Sequence, residues 1–320
     1  MRGRKVIGIA LGDPAGIGPE IVLKSLAHFP HAKLVLIGSR AILTRTAQKL
    51  KLAFPARTQF LDDGSDFVFA FGRVQKRCGE AALRALETGV CLLKQGVING
   101  LVTAPVSKEA LRLAGFEFPG QTEFLAARLG AKRHAMMAYL EGCRNDAERT
   151  QKGRRIARAL RIVFVTIHMP IAEVPKAIAA KLVAEKIRLL HDFLRSRERI
   201  RQPRIAVLAL NPHAHEFSLG EEARIVRGIR LVRRTGVAGP FPADTLVQLL
   251  PRFDGIVAMY HDQAMIPAKL LAQGRGVNMT IGLPFIRTSP LHGTAFDIAG
   301  NGIAQPDSMT AAIETALRLA

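Results

Sequence analysis

Apolar residues along this chain gather into short continuous runs bounded by glycine and proline, and stretches with helical spacing lie between them. Val6 to Ala10 is the first run, and it leads through Gly12-Asp13-Pro14-Ala15-Gly16-Ile17-Gly18-Pro19-Glu20 into a helix signalled by Ile21, Val22, Leu23 and Leu26. Leu34 to Gly38, Val97 to Thr103, Arg161 to Ile167, Arg204 to Leu210 and Gly255 to Met259 predict further strands. Ala41 to Leu50, Gly79 to Leu93, Ala177 to Leu194 and Glu221 to Arg234 predict helices between them. Strand and helix alternate, so the expected fold class is α/β with a largely parallel sheet. Ligands in such sheets collect at the carboxyl ends of strands.

The densest stretch of polar groups among small residues runs from Val277 to Ser289 and on through His292 to Gly300. Gly282, Pro284 and Gly293 punctuate it, which predicts a strand followed by a long ordered loop. Asn278, Arg287, Thr288 and Ser289 offer hydrogen bonds there, and the planar fork of Arg287 suits a phosphate or a carboxylate. The Gly-rich turn after Val6 to Ala10 has the strand, turn and helix order of an anion-binding helix start. Its glycines lack the dinucleotide spacing, and no Lys-Ser/Thr pair follows, so a tight turn with a proline-started helix fits as well. Gly120-Gln121-Thr122 is a second corner of this kind, where free N–H groups would stand beside a hydroxyl.

Composition narrows the class. At 320 residues and 48% hydrophobic, the chain can bury a sizeable core and has length for about two domains. No run reaches the roughly 18 to 20 apolar residues of a membrane span, and Met1-Arg2-Gly3-Arg4-Lys5 leads directly into a strand, so cytoplasmic residence without membrane attachment is expected. Cys78, Cys91 and Cys143 read as ordinary thiols. A formal charge of +20 favours anionic partners such as phosphorylated metabolites. With 6% aromatics, no tryptophan and no aromatics interleaved with the basic residues, no specific nucleic-acid partner is expected. Glu141 to Arg161 is rich in arginine and poor in apolar residues, and it reads as a solvated loop or short helix.

Three predicted strands are followed by histidine, in Ile167-His168-Met169, Asn211-Pro212-His213-Ala214 and Tyr260-His261-Asp262-Gln263. One such histidine is ordinary; three place imidazoles repeatedly on the rim where α/β sheets hold ligands. Three neutral nitrogens leave an open position on Zn²⁺ or a similar cation, as a catalytic site requires. Asp244 and Asp262 are the candidate catalytic carboxylates, as partners of the ligands or as proton acceptor, and His215 and Glu216 compete with His213. A cation of this kind stabilises the alkoxide of a β-hydroxy acid while hydride leaves the same carbon, and the β-keto acid formed can lose CO₂.

The run His292-Gly293-Thr294-Ala295 resembles the adenosine-binding loop of isopropylmalate and isocitrate dehydrogenases. Asp297 stands at the position that chooses the cofactor, where a carboxylate accepts from both ribose hydroxyls and repels a 2′-phosphate, which implies NAD. Together with the Gly12 to Glu20 turn, Pro119 to Phe124, Asn211 to Ala214, Pro242-Ala243-Asp244-Thr245 and Tyr260 to Gln263, the chain resembles the 4-hydroxythreonine-4-phosphate dehydrogenase family nearly throughout.

That resemblance implies a two-lobed α/β/α isopropylmalate dehydrogenase-like fold with a cleft. Residues 1–115 plus 265–320 would form an NAD-binding lobe from both chain ends, and 116–264 a metal, substrate and dimerisation lobe. It further implies that His168, His213 and His261 hold a divalent metal (zinc, magnesium or cobalt) and that Thr122, Lys269, Asn278 and Arg287 bind substrate. His292, Gly293, Thr294, Ala295 and Asp297 would bind the cofactor in a homodimer with shared sites.

The implied reaction is NAD-dependent oxidation of 4-phosphooxy-L-threonine to 2-amino-3-oxo-4-phosphooxybutanoate, which decarboxylates to 3-amino-2-oxopropyl phosphate on the way to pyridoxal 5′-phosphate. Gln121 stands where the family commonly has histidine before the substrate-binding threonine, and Leu291 where it commonly has aspartate. These departures keep open a threonate or erythronate 4-phosphate as substrate. An acyl-phosphate transferase of related fold is a more distant alternative.

Overall fold

A computed structural model describes residues 5–54, 58–141 and 159–320, so most of the basic stretch between Glu141 and Arg161 lies outside the described residues. The chain divides into two compact units, Met1–Lys132 with Leu283–Ala320, and Arg133–Gly282.

The first unit contains β1 (Val6–Ala10), α1 (Gly18–Leu26), β2 (Lys33–Gly38), α2 (Arg40–Leu50), β3 (Gln59–Asp62), α3 (Lys76–Lys94), β4 (Gly100–Thr103), α4 (Lys108–Leu113) and α5 (Gln121–Arg128). The second follows with β5 (Ala135–Leu140), β6 (Leu160–Phe164), α6 (Val174–Ala177), α7 (Ala180–Ser196), β7 (Ile205–Leu208) and α8 (Glu221–Val232). It continues with β8 (Val237–Phe241), α9 (Leu246–Leu249), β9 (Gly255–Ala258), α10 (His261–Ala272) and β10 (Val277–Ile281). The chain then returns to the first unit as β11 (Ile286–Pro290) and α11 (Asp307–Leu319).

The first unit's strands run β3-β2-β1-β4-β11, all parallel. In the second the order is β10-β5-β6-β9-β7-β8, antiparallel at the β10–β5 and β5–β6 pairs and parallel beyond. The expected α/β class with a largely parallel sheet is what the chain adopts.

Apolar periodicity accounts for the packing. On α3, Ala82, Leu86, Val90 and Leu93 recur at helical spacing and pack on Val35, Ile37 and Leu101 of the sheet. Phe124 and Leu125 of α5 are buried in the same cluster, beside Phe116. Each such side chain contributes roughly 1.5 to 3 kcal/mol by leaving water. That burial corrects the expected boundaries: α5 belongs to the first unit's core, so the first segment runs to 132 and not 115. β10 pairs with β5 from Val277↔Tyr139 to Ile281↔Ala135, so the second unit runs to 282 and not 264. Gln121 and Thr122 therefore lie in the first unit, and Lys269 and Asn278 in the second, the reverse of the expected assignment.

Two further expectations change. Val277 to Ser289 is two strands joined by residues 282–285, and not one strand and a loop. Gly282 makes the corner at φ +88°, where a Cβ would fall 2.4 Å from the Arg133 carbonyl oxygen. β11 is fully buried although Arg287, Thr288 and Ser289 are polar, which hid it from the apolar pattern. The strands before the three histidines are also shorter than predicted. β6 ends at Phe164, β7 at Leu208 and β9 at Ala258, so His168 and His213 stand on loops and His261 opens α10. Among the described residues no helix is long and apolar enough to cross a membrane.

Candidate functional site

In the first unit the polar centre is Arg287. Parallel pairing with β4 sets Arg287 opposite Leu101, and its side chain reaches Thr103 at the end of that strand. Nη2 donates to Thr103 Oγ1 at 2.6 Å and to Gln121 Oε1 at 3.1 Å. The residue is 3% exposed. Burial pushes the guanidinium down to about 10, Glu123 pulls it back up, and it stays charged at neutral pH. A buried cation persists only among acceptors and opposite charge, which Thr103, Gln121 and Glu123 provide. Gln121 and Thr122 are half-buried in the first turn of α5, whose cap residue Gly120 supplies no side chain. The first N–H groups of such a helix favour an anion. The structure thus brings Gln121 and Arg287 into contact, with Thr122 next along the helix.

The Gly-rich turn takes the tight-turn form. Gly18, Pro19 and Glu20 at the start of α1 are buried. Gly12 has φ +74°, and a Cβ there would lie 2.4 Å from the Pro105 carbonyl oxygen. Asp13 is fully buried, donates its N–H to Pro105 O at 3.0 Å, and accepts from Ala15 N at 2.9 Å on Oδ1. Burial raises its carboxyl to about 6 against the backbone donors Ala15 and Ser107. Oδ2 has no hydrogen-bond partner among the described residues. Burial and the neighbouring Asp13 push the Cys78 thiol up to about 12.

What this turn holds is the loop carrying the candidate cofactor residues. Ile17 N donates to Thr294 O at 3.0 Å, and Gly16 leaves room for Thr294, whose Cβ would be 3.0 Å from a Cβ on that glycine. Farther along, Lys24 Nζ donates to Glu20 Oε1 at 2.7 Å and to the carbonyls of Gly302 and Ala304 at 2.8 Å each. Ala304 N completes the clamp on Glu20 Oε1 at 2.9 Å. On this loop His292 and Gly293, just before the first tie, and Asp297, between the two, are exposed, and Thr294 and Ala295 are half-buried. Ala295 takes φ +42°.

In the second unit His168 and His261 are neighbours, their ring centroids 5.9 Å apart. His261 Nδ1 lies 2.7 Å from Asp262 Oδ1, the arrangement in which a carboxylate fixes an imidazole's tautomer. His213 stands apart from them. Its Nδ1 is 3.3 Å from Glu216 Oε2, its side chain is 70% exposed, and its backbone is left-handed at φ +54°. Buried Glu222 shapes that loop by accepting from Leu210 N, Asn211 N and Asn211 Nδ2. Among the described residues no three His, Cys, Asp or Glu side chains stand together as a metal site. One copy of the chain therefore assembles two of the three expected imidazoles, with Asp262 on one. Asp244 and Lys269 are exposed, and Asn278 is half-buried on β10.

Sequence reasoning did not find Thr103, Glu123, Glu222 or the Glu20–Lys24 clamp. Thr103 and Glu222 had a visible signal, as a polar residue closing an apolar strand and as an acid opening a helix after a turn.

The pyridoxal phosphate biosynthetic protein PdxA family model matches residues 30–316. The 4-hydroxythreonine-4-phosphate dehydrogenase of Beijerinckia indica is 40% identical over 98% of this chain and 94% of its own length. The D-threonate 4-phosphate dehydrogenase of Cupriavidus necator is 38% identical over 98% of this chain and 97% of its own. The crystal structure of 4-hydroxythreonine-4-phosphate dehydrogenase from Klebsiella pneumoniae superimposes with a TM-score of 0.84 at 35% identity, covering 98% of this chain and 99% of that one. A match of this extent in sequence and structure places the chain in the PdxA family.

Proposed function

We propose that the chain is an NAD-dependent dehydrogenase that oxidises the C3 hydroxyl of a four-carbon acid 4-phosphate. The substrate is 4-phosphooxy-L-threonine, giving 2-amino-3-oxo-4-phosphooxybutanoate, which decarboxylates to 3-amino-2-oxopropyl phosphate for pyridoxal 5′-phosphate synthesis. The observation that carries this reading is the buried, charged Arg287 joined to Gln121 at an uncapped helix start, a fixed positive centre suited to a phosphorylated acid. Names of full-length relatives at about 40% identity support it. Gln121, Thr122 and Arg287 serve substrate binding, and Lys269 and Asn278 take the same role by resemblance. Asp297, exposed on the clamped loop, receives the adenosine ribose and rejects a 2′-phosphate.

His168 and His261, with Asp262 orienting one ring, suit a divalent cation (zinc, magnesium or cobalt), which when bound lowers the pKa of the hydroxyl to be oxidised. His213 does not join them within one copy. We assign it to the corresponding pair of a second copy, in a homodimer. Its exposure, and that of Phe217 (58%), whose ring centroid lies 5.7 Å from its own, support that assignment. Asp262 orients its imidazole, and Asp244 is the remaining candidate proton acceptor.

A second reading is oxidation of D-threonate 4-phosphate, favoured by Gln121 and by the Cupriavidus relative. NADH formation from each acid, measured with elemental analysis of the purified protein, tests both readings. No NADH from either acid with zinc, magnesium or cobalt supplied, together with turnover of an acyl phosphate, would replace the dehydrogenase by a transferase.

A further inference from the structure

The strand that supplies Thr103 to Arg287 runs on into α4, which opens at Lys108. Ser107 caps that helix by accepting from Ala110 N at 3.1 Å, which turns the chain beyond the carboxyl end of β4 and fixes where Lys108 leaves the backbone. Its side chain reaches the start of α5: a Cβ on the cap residue Gly120 would lie 4.0 Å from Lys108 Cε and 3.0 Å from Glu123 Oε2. The backbone does not demand glycine there, because φ is −173°. What glycine supplies is room, at a helix start whose N–H groups a serine, threonine, asparagine or aspartate would otherwise cap. Lys108 is exposed and makes no hydrogen bond or ion pair among the described residues. Glu109 is the acid that suits the first turn of α4, so a cation at 108 does nothing for that helix.

Charge decides what this lysine is for. Arg287 is the buried cation of the corner, and Glu123 acts on it as the opposing charge. Their formal charges cancel, whereas a phosphate monoester carries about −1.5 to −2 at neutral pH. Lys108 leaves the corner with a net positive charge. Its ammonium is a compact point charge on a flexible stem, suited to a phosphate that arrives rather than to a fixed partner. Resting on the reading that the Arg287–Gln121 corner takes the phosphate of the substrate, we propose that Lys108 is a further substrate-binding residue, whose ammonium pairs with that phosphate over the start of α5. The 4-phosphate is common to both candidate acids, so Lys108 favours phosphorylated acids as a class and does not distinguish one from the other.

The test measures KM for 4-phosphooxy-L-threonine and for D-threonate 4-phosphate, with NAD, and titrates inorganic phosphate by calorimetry. It uses wild type, Lys108→Met, Lys108→Arg and Arg287→Ala, with circular dichroism to confirm that each is folded. Lys108→Met keeps the length of the side chain without its charge. It should raise KM for both acids and the Kd for phosphate by about five- to tenfold, less than Arg287→Ala because water screens an exposed cation, and the loss should fall on KM rather than on kcat. Lys108→Arg, which restores the charge, should stay close to wild type. Both constants should rise with added salt in wild type, and more shallowly in Lys108→Met. Unchanged KM and phosphate Kd in Lys108→Met, with both raised in Arg287→Ala, would overturn the proposal and spare the corner. Equal losses in Lys108→Met and Lys108→Arg would overturn it too, since shape and not charge would then be what the corner needs. If Arg287→Ala also leaves both constants unchanged, the reading of the corner falls first and takes Lys108 with it. Absence of turnover still leaves the phosphate titration, so failure of the dehydrogenase reading is separate from failure of Lys108.

Discussion

Replacing Asp13 with asparagine should stabilise the protein, and only above mildly acidic pH. Asp13 is fully buried, and burial lifts its carboxyl from 3.8 to about 6. The folded state thus binds the proton more tightly than the unfolded chain. The protonated carboxyl's contribution is fully present below about 3.8 and is lost as pH rises through about 6. A shift of about two units corresponds to roughly 3 kcal/mol, at about 1.36 kcal/mol per unit. Asparagine keeps the oxygen that accepts from Ala15 N, and it sets an NH₂ where Oδ2 has no partner. Leaving that donor unpaired costs about 1 to 2 kcal/mol, so the net gain above pH 7 should be about 1 to 2 kcal/mol. Against the protonated wild type at about pH 4 the substitution should be neutral or destabilising. Urea denaturation of both proteins at closely spaced pH values measures the difference directly. If Asp13→Asn were less stable at pH 7.5 than wild type by more than at pH 4.5, the carboxylate would have a compensating charge, and the argument from burial would fail.

Arg287→Ala should raise KM for the phosphorylated acid by more than tenfold, consistent with roughly 1.5 to 3 kcal/mol for a hydrogen bond to a charged group; an unchanged KM would remove Arg287 from substrate binding. His213→Ala should lose the divalent metal in elemental analysis while circular dichroism stays native, since the side chain is mostly exposed. A variant with full metal content and normal rate would exclude His213 as a ligand. Lys24→Met should leave the 98% buried Glu20 carboxylate facing the loop without its cation and lower stability by about 3 kcal/mol. Hydrogen exchange should rise first at the backbone of residues 302–304, and uniform exchange would argue against a local clamp.

Much of this architecture was legible because burial writes itself into apolar runs. Val6–Ala10 has the bounds the sequence predicts, and α2 and α3 fall within a few residues of theirs. β11 was not legible, because Arg287 and Thr288 are buried by hydrogen bonds to Gln121, Thr103 and Ala312 rather than by apolar character. β5 and α11 went unrecognised although Met136, Met137 and Tyr139, and Ala312, Ile313 and Ala316, carry the periodicities of strand and helix. The Gly12 to Glu20 turn shows the limit for the site itself. Spacing identifies a tight turn, but what it grips, Thr294 and residues 302–304, lies far away along the chain. His168 and His261 converge because β6 and β9 are neighbours in the sheet, a pairing invisible to periodicity. Likewise Gln121 was noticed for the residue it replaces, whereas the hydrogen bond its Oε1 accepts comes from an arginine 166 positions later.

The return of β11 to the edge of β4 also sets a timetable for synthesis. Between the two segments of the first unit lie the 150 residues 133–282, which at about 5 to 20 residues per second take roughly 8 to 30 s to emerge from the ribosome. Throughout that interval β4 has no neighbour on the side that β11 will occupy, and an open parallel edge invites the wrong partner. The middle of the chain has time to fold before the beginning is finished, and the nascent N-terminal portion is where a holding chaperone would be needed.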